Sequence, residues 1–187
     1  MKNVLAFSGS LRKDSYNTRV VHALAKLCAK HGRANMQLAD IGTFPLFNQD
    51  LEAKKPEMVW EMKRAVESAD AIIFATPEYN RSVPGVLKNA IDWLSRPYGD
   101  NSFAGKPVLV LGVTLGSLGT AVAQSHLKEI LLYLDMQVVG QPELYIGKAH
   151  ERIDESGMLT EDTQQLLLEG IDTLLARTPK REIIPTL

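Results

Sequence analysis

The chain has little of what usually marks a reactive or adhesive protein. Its 187 residues include a single cysteine. Cys28 therefore cannot form an internal disulfide, and it shares a helical face with Val20, Val21, Leu24 and Leu27, which predicts a core role. A reducing cytoplasm fits that usage. The formal charge is −1. This excess is too small to favour nucleic acid or an anionic membrane as partner. No apolar run approaches the length of a membrane span. The first strand begins almost at once, so no signal peptide is expected. The histidines, His22, His31, His126 and His150, are scattered and share no metal-ligand spacing. His150-Glu151 opens no H-E-x-x-H run, and no serine sits in a G-x-S-x-G context. The triphosphate loop G-x-x-x-x-G-K-[ST] and the dinucleotide fingerprint G-x-G-x-x-G are missing as well.

What is present is a rhythm of short apolar runs and helical periods. Residues 4–7, 36–39, 71–75 and 108–111 read as strands, and residues 136–145 hold a fifth, interrupted near 140–142. Helical spacing covers residues 17–31, 57–68, 86–95, 120–134 and 166–175, with a long irregular loop over 41–56. The runs at 71–75 and 108–111 are apolar throughout, as expected of strands buried on both faces of a parallel sheet. Strands alternating with helices predict a three-layer α/β sandwich. With right-handed crossovers, five strands fit the flavodoxin-like order 2-1-3-4-5, whose ligand sits beyond the carboxyl ends of strands 1 and 3. Residues 1–187 are expected to form one domain.

The loops at that end carry the polar residues. After strand 1 comes Ser8-Gly9-Ser10-Leu11-Arg12-Lys13-Asp14-Ser15-Tyr16-Asn17. A strand, a small polar loop and a helix start make an anion site, because the first helical N–H groups lack partners and the dipole adds positive charge. Ser10 and Ser15 offer hydroxyls, Asn17 an amide and Arg12 a bidentate guanidinium. Taken singly, Ser15 would be a helix cap and Arg12 a solvated surface residue. Together, and in a loop rich in hydroxyls rather than glycine, they suit a terminal phosphate monoester. After strand 3, residues 76–85 read T-P-E-Y-N-R-S-V-P-G. Two prolines and a glycine stiffen this loop, its backbone offers donors and acceptors to the edge of a heterocycle, and Tyr79 adds an aromatic face. Pro84 is expected at the first helical position. After strand 4, residues 114–119 form a Gly-Ser loop, a weak signal taken alone.

These segments resemble the NADPH-dependent FMN reductase family, in its quinone, chromate and azo-compound reductase branch. The resemblance rests on G-S-L-R-x-x-S-x-N, on the run T-P-E-Y-N-x-S-x-P-G-x-L-K-N-A-I-D-W, and on Gln141-Pro142-Glu143. It implies a flavodoxin-like fold that binds FMN and passes electrons from NADPH or NADH to a small-molecule acceptor such as a quinone, chromate, an azo compound or free flavin. It places Ser10, Arg12, Ser15, Tyr16 and Asn17 on the FMN phosphate and ribityl chain. It places Pro77, Glu78, Tyr79 and Asn80 on the isoalloxazine, and Thr114 on the flavin from the strand 4 loop. Hydride chemistry then belongs to the cofactor, which accounts for a chain without an acid–base constellation.

The chain departs from the pattern after strand 4. Where the family often has Gly-Gly-x-Arg followed by a Tyr, this sequence has Val122 and Ser125. In tetrameric relatives that Arg and Tyr join a strand 5 Glu between dimers. Glu143 is present, but Val122 and Ser125 cannot complete the network, so a homodimer is expected before a tetramer. Trp93, Leu132 and Tyr133 are expected on the dimer surface. The alternatives are a flavodoxin-type electron carrier without a nicotinamide site, disfavoured by the weak charge, and a flavin-binding module without turnover.

Overall fold

The computed structural model describes residues 1–179; residues 180–187, the end of the expected single domain, lie outside the described residues. Strands β1 (Lys2–Ser8), β2 (Ala34–Ala39), β3 (Ala71–Ala75) and β4 (Pro107–Val113) pair in parallel in the order 2-1-3-4. The edge beyond β4 holds two short strands, β5 (Gln137–Val138) and β6 (Leu144–Ile146), both parallel to β4. The interrupted fifth strand and the order 2-1-3-4-5 are thus as the sequence predicts.

Helices cover both faces. On one side, α1 (Tyr16–Lys30) and α6 (Glu161–Ala176) enclose a core with Val20, Leu24, Cys28, Leu109, Leu111, Leu167 and Ile171. On the other, α2 (Glu57–Ser68), α3 (Gly85–Leu94) and α4 (Ala121–Tyr133) pack over Phe7, Ile72, Phe74, Trp93, Phe103 and Val110. Phe7 stacks on Phe74 at 5.1 Å, and Phe103 meets Phe7 edge-on at 6.3 Å. A short helix, α5 (Ala149–Arg152), follows β6, and a 3-10 turn, Gln49–Lys54, lies within the irregular segment before α2.

Several local expectations change. Pro84 is the residue before the helix, with ψ 142°, and Gly85 is the first helical residue. The last helix starts at Glu161, five residues earlier than its apolar period indicates, because a polar first turn carries no period signal. Trp93 is not a surface residue. It is fully buried, its Nε1 donates to the Pro45 carbonyl at 2.8 Å, and its ring meets Phe47 edge-on at 5.1 Å. The loop before α2 covers that face of α3 and withdraws Trp93 from any contact between subunits.

Cys28 is wholly buried in the α1 core, and desolvation pushes its thiol up to about 11. The core role expected of it holds, since a thiol so raised gives almost no thiolate near neutrality.

Candidate functional site

The carboxyl ends of β1, β3 and β4 converge on three loops. The β1 loop runs into α1, whose cap is Ser15 in extended conformation, its Oγ accepting from Thr18 N at 3.3 Å. The next two helical residues, Tyr16 and Asn17, have no carbonyl behind them for their N–H groups to bond. Ser10 and Ser15 are buried, yet their hydroxyls only accept main-chain N–H bonds and donate to no protein atom among the described residues. Buried hydroxyls with unspent protons at a helix start are what a phosphate monoester requires. Arg12 is exposed beside them, with Nη2 donating to the Asp14 carbonyl at 2.8 Å, which curls the guanidinium over the loop.

Asn17 takes a different position. It is 3% exposed, its Nδ2 donates to Val113 O at 3.0 Å and its Oδ1 accepts from Val113 N at 3.0 Å. The side chain thus extends the hydrogen-bonding edge of β4 and ties it to the start of α1. Tyr16 is half-buried, with the Arg19 guanidinium 5.7 Å from its ring centre.

The loop after β3 lies against the first loop. Gly9 N donates to Ala75 O at 2.8 Å, and a Cβ at Gly9 would lie 3.1 Å from both Pro77 and Leu87. The segment then makes a tight reversal. Tyr79 and Ser82 exchange backbone hydrogen bonds of 3.1 and 3.0 Å, with Asn80 and Arg81 at φ 50° and 63°. Two central residues with positive φ are the mark of a type I′ hairpin turn. Asparagine tolerates that conformation; arginine there is strained and needs outside support. Tyr79 is 49% exposed, and Leu11, Leu115 and Leu118 of the flanking loops are exposed as well. Exposed apolar side chains on the loops that surround an anion cradle suit a planar ring carried on a phosphate.

The Glu78 side chain reaches the start of α4. Its Oε2 accepts from Val122 N and Ala123 N, both at 3.1 Å, and its Oε1 lies 3.8 Å from Arg81 Nη1. Of the β4 loop, Thr114 donates its N–H to Ile146 O and accepts from Ala149 N, both at 3.0 Å, while its hydroxyl has no protein partner among the described residues. Gly119 has φ 58°, and a Cβ there would come within 2.3 Å of Tyr145 C, so this glycine serves the approach of the loop to β6.

Sequence reasoning missed three residues that shape the site. Gly112, inside β4, leaves room for Thr120, whose Oγ1 would lie 1.7 Å from a Cβ at that position. Thr120 itself sits in left-handed conformation at φ 64°. Gln124 is buried, and its Nε2 lies within hydrogen-bond reach of Gly119 O, Thr120 Oγ1 and Leu144 O. A glycine in an otherwise apolar strand was the available signal for this close approach.

A doubly wound sheet with a hydroxyl-lined cradle at its topological switch point defines a flavodoxin-like, mononucleotide-binding class of protein. The profile of the NADPH-dependent FMN reductases matches residues 2–151, and the chain belongs to that family. It is 43% identical over 176 residues to a 2-hydroxy-1,4-benzoquinone reductase from a Burkholderia species, covering 94% of this chain and 95% of that one. It is 42% identical over 167 residues to an NAD(P)H-dependent FMN reductase from Pseudomonas aeruginosa, covering 89% of each. Among solved structures, the flavoenzyme NAD(P)H:(acceptor) oxidoreductase FerB from Paracoccus denitrificans superposes with a TM-score of 0.87 at 40% identity, covering 96% of this chain and all of that one. The family is one of oxidoreductases, and the electron-carrier alternative has no support among these relatives.

Proposed function

We propose that this chain is a single FMN-binding domain, residues 1–187, that oxidises NADPH or NADH and reduces a quinone or another small acceptor. The observation that carries this reading is the pair of buried hydroxyls, Ser10 and Ser15, with undonated protons beside the open first turn of α1. Ser10, Ser15, Arg12 and the amides of Tyr16 and Asn17 hold the FMN phosphate. The main chain of Pro77, Glu78, Tyr79 and Asn80 lines the isoalloxazine, and the Thr114 hydroxyl meets it from the β4 loop. When bound, the flavin supplies the two-electron chemistry. The chain's own residues bind, orient and exclude water: Leu11, Tyr79, Leu115 and Leu118 form the apolar rim over which a planar substrate lies.

One mouth leaves little room for two large planar substrates, so the nicotinamide and the acceptor take turns, giving ping-pong kinetics. Chromate, azo compounds and free flavin are further small acceptors that the family resemblance suggests, and the cytoplasm, where reduced nicotinamides are available, is the proposed location.

The protein acts as a homodimer. Tyr98, Leu132 and Tyr133 are 78%, 62% and 78% exposed. The first and last of these border a cleft of about 670 Å³ between α3, α4 and the 95–101 loop, with Ile91, Ile130 and Leu134 on its walls. A two-fold contact would hide this apolar surface. Glu143 is satisfied within the subunit: it accepts from Tyr145 Oη at 2.8 Å and lies 3.6 Å from Lys128 Nζ. It therefore needs no partner from a second dimer, in keeping with Val122 and Ser125 in place of the Arg and Tyr of tetrameric relatives.

The visible spectrum of the purified protein, with chromatographic identification of the released flavin, tests the reading. Bound FMN and quinone-dependent NADPH oxidation are expected. A protein that takes up no FMN on reconstitution contradicts it.

A further inference from the structure

Helix α4 begins without a cap of its own. Thr120, just before it, is held in left-handed conformation and makes no side-chain cap bond. The first-turn donors are nevertheless all paired. Ala121 N donates to Leu118 O at 3.2 Å and Gln124 N to Thr120 O at 2.9 Å. The two between them, Val122 N and Ala123 N, donate to the Glu78 carboxylate at 3.1 Å. These are the second and third helical amides, the ones a cap side chain normally serves. Glu78 is 44 residues away in sequence and belongs to the loop after β3. Its side chain is only 15% exposed, so charge-assisted hydrogen bonds and the positive end of the helix act on it with little competition from water. A second tie runs parallel: Ser82 Oγ and His126 Nδ1 of α4 are 3.1 Å apart. Between the two ties lies the strained Asn80-Arg81 turn, with Arg81 beside the free oxygen of Glu78.

We infer that Glu78 is a positioning residue: its carboxylate caps α4 from the neighbouring loop and so fixes the main chain of Pro77 to Asn80 against the flavin ring. This inference rests on the FMN-binding reading above. The cap spends the side chain on α4 and leaves the main chain of the loop to face the ligand. It also joins the β3 loop to the start of α4, which the β4 loop enters, so that two walls of the site move as one body. The α4 N-terminus is thereby occupied by a protein anion and is not available to a phosphate, whereas that of α1 is open.

The test compares FMN with riboflavin, which has the ring but no phosphate, by titrating the full chain of wild type and variants. Glu78→Ala is expected to weaken both flavins by the same factor, about tenfold, and to alter the visible circular dichroism of the flavin at saturation. Arg12→Ala is expected to weaken FMN alone. Glu78→Gln keeps an acceptor oxygen over the two amides and is expected to stay within about threefold of wild type with an unaltered dichroism band. Should the alanine variant fail to fold, Glu78→Asp, one methylene too short to reach α4, replaces it with the same loss expected. Riboflavin affinity and dichroism unchanged in the alanine or aspartate variant would overturn the positioning role. A wild-type chain that binds neither flavin would instead overturn the functional reading on which it rests.

Discussion

Replacing Asn17 by alanine separates two roles that its place in the sequence leaves superimposed. The side chain clamps the end of β4 through two hydrogen bonds to Val113, both at 3.0 Å and both buried. Alanine removes both partners at once and leaves Val113 N–H and C=O without acceptor or donor in a site that is 3% exposed at residue 17. An unsatisfied buried polar group costs about 1–3 kcal/mol, and partial relaxation makes about 2–4 kcal/mol a reasonable total for the pair. That is a large share of a net stability of about 5–15 kcal/mol. For a chain of this size each kcal/mol moves the midpoint by about 2–4 °C, so thermal unfolding should shift down by roughly 4–16 °C. The measurement is made on flavin-free protein, where a residue acting only as a phosphate ligand would show nothing. Asn17→Asp retains the acceptor but sets a carboxylate oxygen against Val113 O, and should lose a comparable amount. A flavin-free midpoint within about 2 °C of wild type would refute the clamp.

Further outcomes follow from the same geometry. Arg12→Ala should weaken FMN binding by roughly tenfold to a hundredfold, the worth of a hydrogen bond to a charged group at about 1.5–3 kcal/mol; unchanged affinity in titration would remove Arg12 from the phosphate site. Trp93→Ala empties a fully buried position and removes one of the two side-chain hydrogen bonds that Pro45 O accepts, so urea unfolding should show a loss of about 3–5 kcal/mol; a loss below about 1 kcal/mol would contradict the packing described. Tyr133→Glu places a charge in the exposed apolar patch of α4 and should shift the protein towards monomer in sedimentation, whereas a wild type that is already monomeric at micromolar concentration refutes the dimer. The Cys28 thiol, raised to about 11 by desolvation, should resist alkylation at pH 8 in the folded protein and react on unfolding; rapid labelling of native protein would contradict its burial.

The layer architecture was legible because it rests on period and composition. The apolar runs of β3 and β4, and the break near Pro142 in the last strand, are local signals that the fold preserves. The places of side chains within the site were less legible, because they are set by partners distant in the chain. Asn17 meets Val113 across 96 residues, and Glu78 meets α4 across 44. Both look like ligands in a polar loop until the backbone groups they serve are brought beside them. Trp93 read as surface because its helix is apolar on more than one face; the loop through Pro45 and Phe47, which has no period, supplies the cover. Gly112 lies just past the apolar run 108–111 read as a strand, although a glycine there is what admits Thr120.

The central claim is that one site serves a nicotinamide and an acceptor in turn through FMN. It is tested most directly by adding NADPH without acceptor, under anaerobic conditions, to the purified flavin-loaded protein, then adding a quinone. The account predicts that the visible flavin absorbance bleaches with NADPH alone and returns with the quinone, and that varying both substrates in the steady state gives parallel double-reciprocal lines. Absorbance that stays unchanged until the quinone arrives, with intersecting lines, would show that both substrates bind together and would contradict the single alternating site.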